Sequence, residues 1–287
     1  MKLSVVIPCF NAAKTIAAQL EALANQQWSQ PWEVIVSDNG STDETPAIVE
    51  QYKAKLPNLK IIDASDRQGA SHARNVGVLA AASDAVAFCD ADDEVAAGWV
   101  AAMGEALSRH DFVACKREYN KLNEPWVLKY RPLSQQTGLQ DYNYPPYLPH
   151  ASSSTLGVKR AIHIAIGGFD ETMAQLEDTD YCWRIQLAGT QLHFVPDAVV
   201  HYRFRNTLAG LYKQSLLWGE HNVLLYKKYR PKGLPKIAWY SGVIAWLQVL
   251  KRSPQLLFPN RRARWVWTFA WQMGRLQGSL KYHVWAL

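Results

Sequence analysis

Residues 85–93 read Ala85-Val86-Ala87-Phe88-Cys89-Asp90-Ala91-Asp92-Asp93, five apolar positions that end in three carboxylates. A short apolar run bounded by a polar turn is the pattern of a buried strand. Leu3–Ile7, Glu33–Val36 and Leu59–Ile62 repeat it upstream. Helical patterns over Lys14–Ala24, Thr42–Tyr52 and Ser71–Ala82 separate them, with Ser41 or Thr42 placed to cap the second and Glu44 in its first turn. Strands alternating with such helices predict crossover connections and a mainly parallel sheet. Open sheets of this kind bind ligands beyond the carboxyl ends of their strands. Asn39-Gly40-Ser41 and Asp90–Asp93 both fall at such ends.

The alternation loosens after Lys116. Residues 118–150, rich in Pro and Tyr, read as a long connection over the sheet, and loops of that length in compact domains are usually functional. Ala151–Val158 reads as a Ser-rich strand, Gly167-Gly168-Phe169-Asp170-Glu171 as a turn and Asp178–Ala188 as a helix. Gln191–Val195 and Ala198–Phe204 read as two further strands. Beyond Asn206 the chain reads as helices, broken near Pro231-Lys232-Gly233 and Ser253-Pro254.

The composition is that of a folded chain: 48% hydrophobic and 20% charged over 287 residues, enough for one large domain with an appendage. The four cysteines, Cys9, Cys89, Cys115 and Cys182, have neither zinc nor disulfide spacing, which points to a reducing compartment. Met1–Pro8 lacks a cleavage site and reads as a first buried strand, not a signal peptide. The net charge of +6 is uneven. Residues 1–220 hold 19 basic against 25 acidic side chains, whereas the residues after Glu220 hold 12 Lys and Arg, six Trp and no acid. Any anionic partner therefore concerns the tail.

Three carboxylates in four positions repel one another, and a hard divalent cation relieves that. A solvated turn capping the next helix explains the same residues equally well. Glu177, Asp178 and Asp180 open a helix, where acids are stabilising without any further role; a carboxylate there can also serve as a general base. Arg74, near a helix start, suits a diphosphate or an ordinary surface position. His201 ends an apolar run and suits a metal or simple packing.

In their order along the chain, these features resemble the family 2 glycosyltransferases over residues 3–205. The resemblance rests on Val5-Val6-Ile7-Pro8-Cys9-Phe10-Asn11, Ser37-Asp38-Asn39-Gly40-Ser41-Thr42-Asp43, Gly69 through Asn75, Asp90-Ala91-Asp92, Gly167–Glu171 with Glu177-Asp178, and His201-Tyr202-Arg203. It implies a GT-A fold, a Rossmann-like α/β sheet carrying a nucleotide-sugar site, here followed by a C-terminal helical extension. It implies a donor site at Pro8, Phe10, Asn11, Asp38, Asn39, Arg74, Asp90 and Ala91, with Arg74 on the diphosphate and Asp90 near the ribose. Many members carry two aspartates where this chain has Asp38-Asn39. It further implies Mn²⁺ or Mg²⁺ on Asp92 with His201 as a third ligand, Gly168 and Glu177 on the acceptor side, and Asp178 as the catalytic base. The expected division is 1–205 catalytic, with a nucleotide-sugar half (1–117) and an acceptor half (118–205), and 206–287 as the extension.

The expected activity is inverting transfer from a nucleoside-diphosphate sugar to a hydroxyl of a glycan or lipid-linked saccharide. A polyprenyl-phosphate glycosyl synthase and a non-catalytic sugar-nucleotide-binding or scaffold protein are the alternatives. In the tail, Ile237–Leu250 is too short to span a bilayer. From Arg261 the polar residues recur every three or four positions, an amphipathic helix with a basic stripe and an aromatic face. Packing against the protein competes with membrane-surface association through 236–287, and nucleic acid is not expected. The expected location is cytoplasmic, peripheral on the inner face of the cytoplasmic membrane.

Overall fold

The computed structural model describes residues 2–129, 133–142 and 147–286. The chain forms two compact units. The first comprises residues 1–122, 134–140 and 149–203; the second comprises 123–133, 141–148 and 204–287.

The first unit is built on one sheet flanked by helices. Along the chain come β1 (Leu3–Cys9), α1 (Ile16–Ala24), β2 (Trp32–Asp38), α2 (Thr45–Gln51), β3 (Leu59–Asp63), α3 (Ala70–Ala80) and β4 (Ala85–Phe88). Then follow β5 (Glu94–Val95), α4 (Trp99–Arg109) and β6 (Phe112–Glu118). After α5 (Pro125–Leu128), which belongs to the second unit, come β7 (Leu156–Lys159), α6 (Arg160–Ala165), α7 (Glu177–Leu187) and β8 (His193–His201). The strand order is β3-β2-β1-β4-β7-β6-β8-β5. Pairing is parallel from β3 through β4 and between β6 and β8, but β7 runs antiparallel to β4 and β6, and β5 antiparallel to β8. The expected mainly parallel sheet is therefore corrected to a mixed one. The β1–β4 half follows the predicted alternation because both faces of each strand are covered, giving continuous apolar runs such as Leu3, Val5, Val6 and Ile7. Apolar side chains on the two faces form two clusters, one around Leu20 and Trp99, the other around Phe88, Phe169 and Tyr181.

Three local expectations change. The two strands expected over 191–204 are the single β8, which holds Pro196 where its register against β6 slips between Cys115 and Lys116. Proline has no N–H for a ladder, so it sits at an irregularity without interrupting the strand. The Ser-rich segment 151–158 is a 3₁₀ turn over Ser153–Thr155 leading into β7. The second helix starts at Thr45, not Thr42, because residues 41–43 are engaged elsewhere. Thr42 N donates to Asn11 Oδ1 at 2.8 Å, and Asp43 Oδ2 accepts from Ala13 N at 3.1 Å. Of the 118–150 connection, residues 130–132 and 143–146 lie outside the described residues.

The second unit is helical: α5, α8 (Leu208–Tyr229), α9 (Ser241–Lys251) and α10 (Pro259–Tyr282). Its breaks, at 3₁₀ turns over Arg230–Lys232 and Ser253–Leu257, fall where the proline residues predict them. Ser215 Oγ donates to Trp267 O at 2.7 Å and Lys227 Nζ to Tyr282 O at 2.9 Å, so α8 and α10 run side by side in the same direction. Their backbones nearly touch: a Cβ on Gly219 would lie 2.3 Å from Trp271 O, and one on Gly274 2.0 Å from Leu216 O. The expected polar stripe of α10 does not face solvent along its length, since Gln272, Arg275 and Ser279 are buried. Arg275 instead donates from Nε to Ala286 O at 2.8 Å, capping the chain's last residues. No helix among the described residues is long and apolar enough to cross a membrane.

Candidate active site

Arg74 organises the site. The α3 turn that carries it starts at Gly69 and packs on β1 and β2, so its side chain is buried beside the exit of β4. Its Nη2 donates to Asp90 Oδ1 at 2.7 Å and its Nη1 to Glu177 Oε1 at 3.3 Å, with the guanidinium 5.5 Å from the Phe169 ring centre. One cation thus joins the acidic exit of β4 to the acidic start of α7. The family resemblance implies a diphosphate partner for this arginine; in the structure its Nη1 and Nη2 meet two carboxylates and its Nε is buried and unpartnered.

Asp178 lies beside Glu177 in the first turn of α7, entered through Leu176 in the left-handed conformation (φ 59°). Its Oδ1 accepts from Thr179 N at 2.7 Å, and the nearby Arg74 and Arg117 cations favour its ionised form. Burial outweighs them and raises the Asp178 pKa. Burial, with the Asp178 charge next to it, pushes Glu177 up to about 7 against the pull of Arg74. The pair therefore holds a proton past the ordinary carboxylate range.

Of the β4 acids, Asp93 behaves differently from its neighbours. It is buried, its Oδ1 accepts from Arg203 N at 2.9 Å and its Oδ2 has no partner. Desolvation, then the charges of Asp90 and Asp92, hold it protonated far above its usual range. Arg203 also donates from Nε to Asp92 O at 2.9 Å, so it grips the 90–93 turn at two points. Next to it, Arg117 stacks on the Tyr202 ring at 3.5 Å. In the sequence Asp93 has no role assigned, Arg203 enters only within the His201-Tyr202-Arg203 motif, and Arg117, two residues past the apolar run Phe112–Cys115, is not singled out.

The loops after β1 and β2 are tied together by hydrogen bonds. Asn11 (φ 48°) accepts from Thr42 N, its own N–H donates to Ser41 Oγ at 2.9 Å, and Asp38 accepts from that serine in turn. Phe10 is half exposed, while Pro8 lies in β1 opposite Ser37 and Ala91 is buried. Asn39 is buried and its carboxamide is committed to the fold: Nδ2 donates to Ala64 O and Arg67 O, and Oδ1 accepts from Gly69 N at 2.7 Å. It holds the start of α3 and offers no free carboxamide to a base. Of the Asp38-Asn39 pair, Asp38 is the one on the loop surface.

Gly168 is an architectural residue of the turn that follows α6. At φ 71° a Cβ there would meet Asn75 Oδ1 at 2.5 Å. Asn75 bridges Phe169 N, Phe169 O and Glu171, and Glu171 also takes Arg67 and His72. His72 lies between Glu171 and Asp66, and the two carboxylates raise its pKa against its burial.

His201 and Asp92 are not gathered into a ready-made metal centre. The His201 Nδ1 lies 2.7 Å from Glu118 Oε2, its register partner on β6, and among the described residues no group of three His, Cys, Asp or Glu forms a metal site. The carboxylate of Asp92 at a strand end is nevertheless a hard oxygen donor that suits Mg²⁺ or Mn²⁺, which bind through one or two carboxylates plus substrate phosphates. The donor set fits such an ion when a diphosphate completes it.

A mixed α/β sheet with acids at its strand ends, braced by one arginine, is the frame of a glycosyltransferase. The sequence pattern of glycosyl transferase family 2 matches residues 4–167, and the chain belongs to that family. It is 26% identical over 273 residues to the uncharacterized glycosyltransferase YwdF of Bacillus subtilis, covering 93% of this chain and 96% of that one. It is 28% identical over 255 residues to the pre-mycofactocin glycosyltransferase of Mycobacterium tuberculosis, covering 85% of this chain. The chain spans about half the length of that relative (52%). Among solved structures, a mannosyltransferase from Pyrobaculum calidifontis in complex with GDP-Man and Mn²⁺ superposes with a TM-score of 0.67 at 19% identity, covering 96% of this chain and 87% of that one. The Staphylococcus aureus TarS 1–349 complex with UDP-GlcNAc gives 0.58 at 19% identity, covering 99% and 93%. These superpositions establish the GT-A fold.

Proposed function

We propose that the chain transfers a sugar, with inversion, from a nucleoside-diphosphate sugar to a hydroxyl of a glycan or lipid-linked saccharide. The observation that carries this reading is the Arg74 bridge, which brings the exit of β4 and the start of α7 into one site. Residues 1–205 are the catalytic domain and 206–287 its helical extension, except that 123–133, 141–148 and 204–205 group with the extension in the second unit.

Asp178 accepts the acceptor hydroxyl's proton as that oxygen bonds to the anomeric carbon. The bond from that carbon to the diphosphate oxygen breaks, and the nucleoside diphosphate leaves with the electron pair. One base and no enzymic nucleophile make this a single displacement, hence inversion. Glu177 shares the acceptor side, and burial together with the charge of Asp178 holds its own pKa up. Asp38, Pro8, Phe10 and Asn11 face the base, and Asp90, held by Arg74, faces the ribose. Asp92 would hold Mn²⁺ or Mg²⁺, which when bound offsets the charge on the departing diphosphate. His201 is oriented by Glu118 and joins such an ion only by way of its other ring nitrogen. Arg74 positions Asp90 and Glu177 and faces the diphosphate, as the family resemblance implies. The complexes of structurally similar proteins with UDP-GlcNAc and with GDP-Man and Mn²⁺ make those two donors the first to try.

The test is product stereochemistry. With either donor, Mn²⁺ and a panel of hydroxyl acceptors, NMR of the product is expected to show inversion at the anomeric carbon. Retention contradicts the mechanism. Transfer only to a polyprenyl phosphate, undiminished in Asp178→Asn, assigns the chain to the polyprenyl-phosphate synthases instead.

A further inference from the structure

α9 is amphipathic in an unusual sense: its inner side is well packed and its outer side is apolar and bare. Inward, Val249 is buried, Trp265 Nε1 donates to Val249 O at 3.0 Å, and Trp246 meets Phe269 edge to face. Outward, Val243, Ile244, Leu247 and Leu250 form a stripe at helical spacing, each about half or more exposed. Trp239 before the helix is 73% exposed and Leu257 after it 81%. Monomeric soluble proteins rarely expose contiguous apolar surface of this kind without a partner for it.

The charge around the stripe identifies the partner. Lys236 precedes it, Lys251 and Arg252 end it, and Arg261 and Arg264 open α10. Gln248, Lys251, Arg252, Pro254 and Gln255 line a cavity of about 440 Å³, and Lys129, Gln255, Arg261 and Arg264 line another of about 290 Å³. Among the described residues none of these cations pairs with a carboxylate, since the chain carries no acid after Glu220 and none of the ion pairs formed upstream includes them. Two copies meeting face to face across α9 would bring the same cations together around a two-fold axis, an unfavourable arrangement. An anionic bilayer satisfies both features at once, taking the apolar stripe into the acyl boundary and its phosphates onto the cations.

We propose that the outer face of α9, continued by Leu256, Leu257 and Phe258, is a docking surface for an anionic phospholipid bilayer, with Lys251, Arg252, Arg261 and Arg264 receiving lipid phosphates. The surface lies on α9, the turn after it and the first turns of α10, and does not continue along α10, where Gln272, Arg275 and Ser279 are buried. It goes beyond the transfer reaction, and its test does not depend on turnover.

Full-length protein is co-sedimented with vesicles of phosphatidylcholine alone and of phosphatidylcholine with phosphatidylglycerol. Binding is expected to the anionic vesicles, to weaken with salt, and to drop by roughly tenfold or more in Ile244→Asp/Leu247→Asp and in Lys251→Glu/Arg252→Glu. All four positions are exposed, so both variants are expected to keep the wild-type circular dichroism and melting temperature. Failure of the wild type to bind anionic vesicles overturns the proposal, as does binding unchanged in both variants. A wild-type dimer in light scattering that Ile244→Asp/Leu247→Asp converts to monomer also overturns it, by assigning the face to a second copy.

Discussion

At the scale of single residues, charge compensation dominates this site. Arg74 is buried between Asp90 and Glu177, so its removal leaves two carboxylates facing each other in a poor solvent. Breaking a buried ion pair costs about 3–5 kcal/mol. Arg74→Met is therefore expected to lower the denaturant midpoint by a cost of that order, and Asp90→Asn with it to recover part of the loss, as a double-mutant cycle in urea would show. Asp93 presents the converse case. Its pKa is raised, so the folded state favours its neutral form, and Asp93→Asn is expected to leave the melting temperature near neutral pH unchanged or higher. A fall of many degrees would contradict that protonation state. The raised pKa of the Glu177–Asp178 pair has a signed consequence. The folded state binds the pair's proton more tightly than the unfolded chain does, so the pair's contribution to stability is greatest at low pH and diminishes from the ordinary carboxylate range up to about 7. Activity in the proposed mechanism runs the other way, because Asp178 must be ionised and burial raises its pKa: kcat/KM is expected to rise with pH above the ordinary carboxylate range before it levels off. A profile flat from pH 5 to 8 would contradict it.

At the scale of elements, the parts that were legible in the sequence are those whose signal is local. The alternation from β1 to β4 follows from apolar runs and helical spacing, and the breaks after α8 and α9 follow from proline. Strand direction has no such signal, because β7 between β4 and β6 has the same apolar pattern whichever way it runs. The residues around Arg117 and Asp93 were equally illegible: what makes them special is burial and a stacked tyrosine, neither visible in residue order. Asn39 and Arg74 were found as candidates, but their bonding partners, and hence their roles, required coordinates. The α8–α10 packing gives a prediction at this scale. Gly274→Val places a Cβ where only 2.0 Å separates it from Leu216 O, a backbone atom that has no way to turn aside. It is expected to loosen the second unit and to speed its limited proteolysis while the first unit keeps its protection; equal cleavage rates in variant and wild type would contradict the packing.

At the scale of the whole molecule, charge and chemistry are separated along the chain. The acids that carry the proposed transfer lie before Glu220, and the exposed cations and apolar stripe lie after it. The proposed reaction and the proposed membrane docking rest on different residues, so each is open to alteration without the other. The central claim concerns the first of these, that Asp178 is the base of a nucleotide-sugar transferase. The most direct test compares wild type and Asp178→Asn for nucleoside-diphosphate release from UDP-GlcNAc or GDP-Man with Mn²⁺ and acceptor, alongside donor affinity by calorimetry. Loss of a general base is expected to lower kcat about 10²–10⁴-fold while donor affinity stays within a few-fold. Near-full transfer by Asp178→Asn would contradict the account.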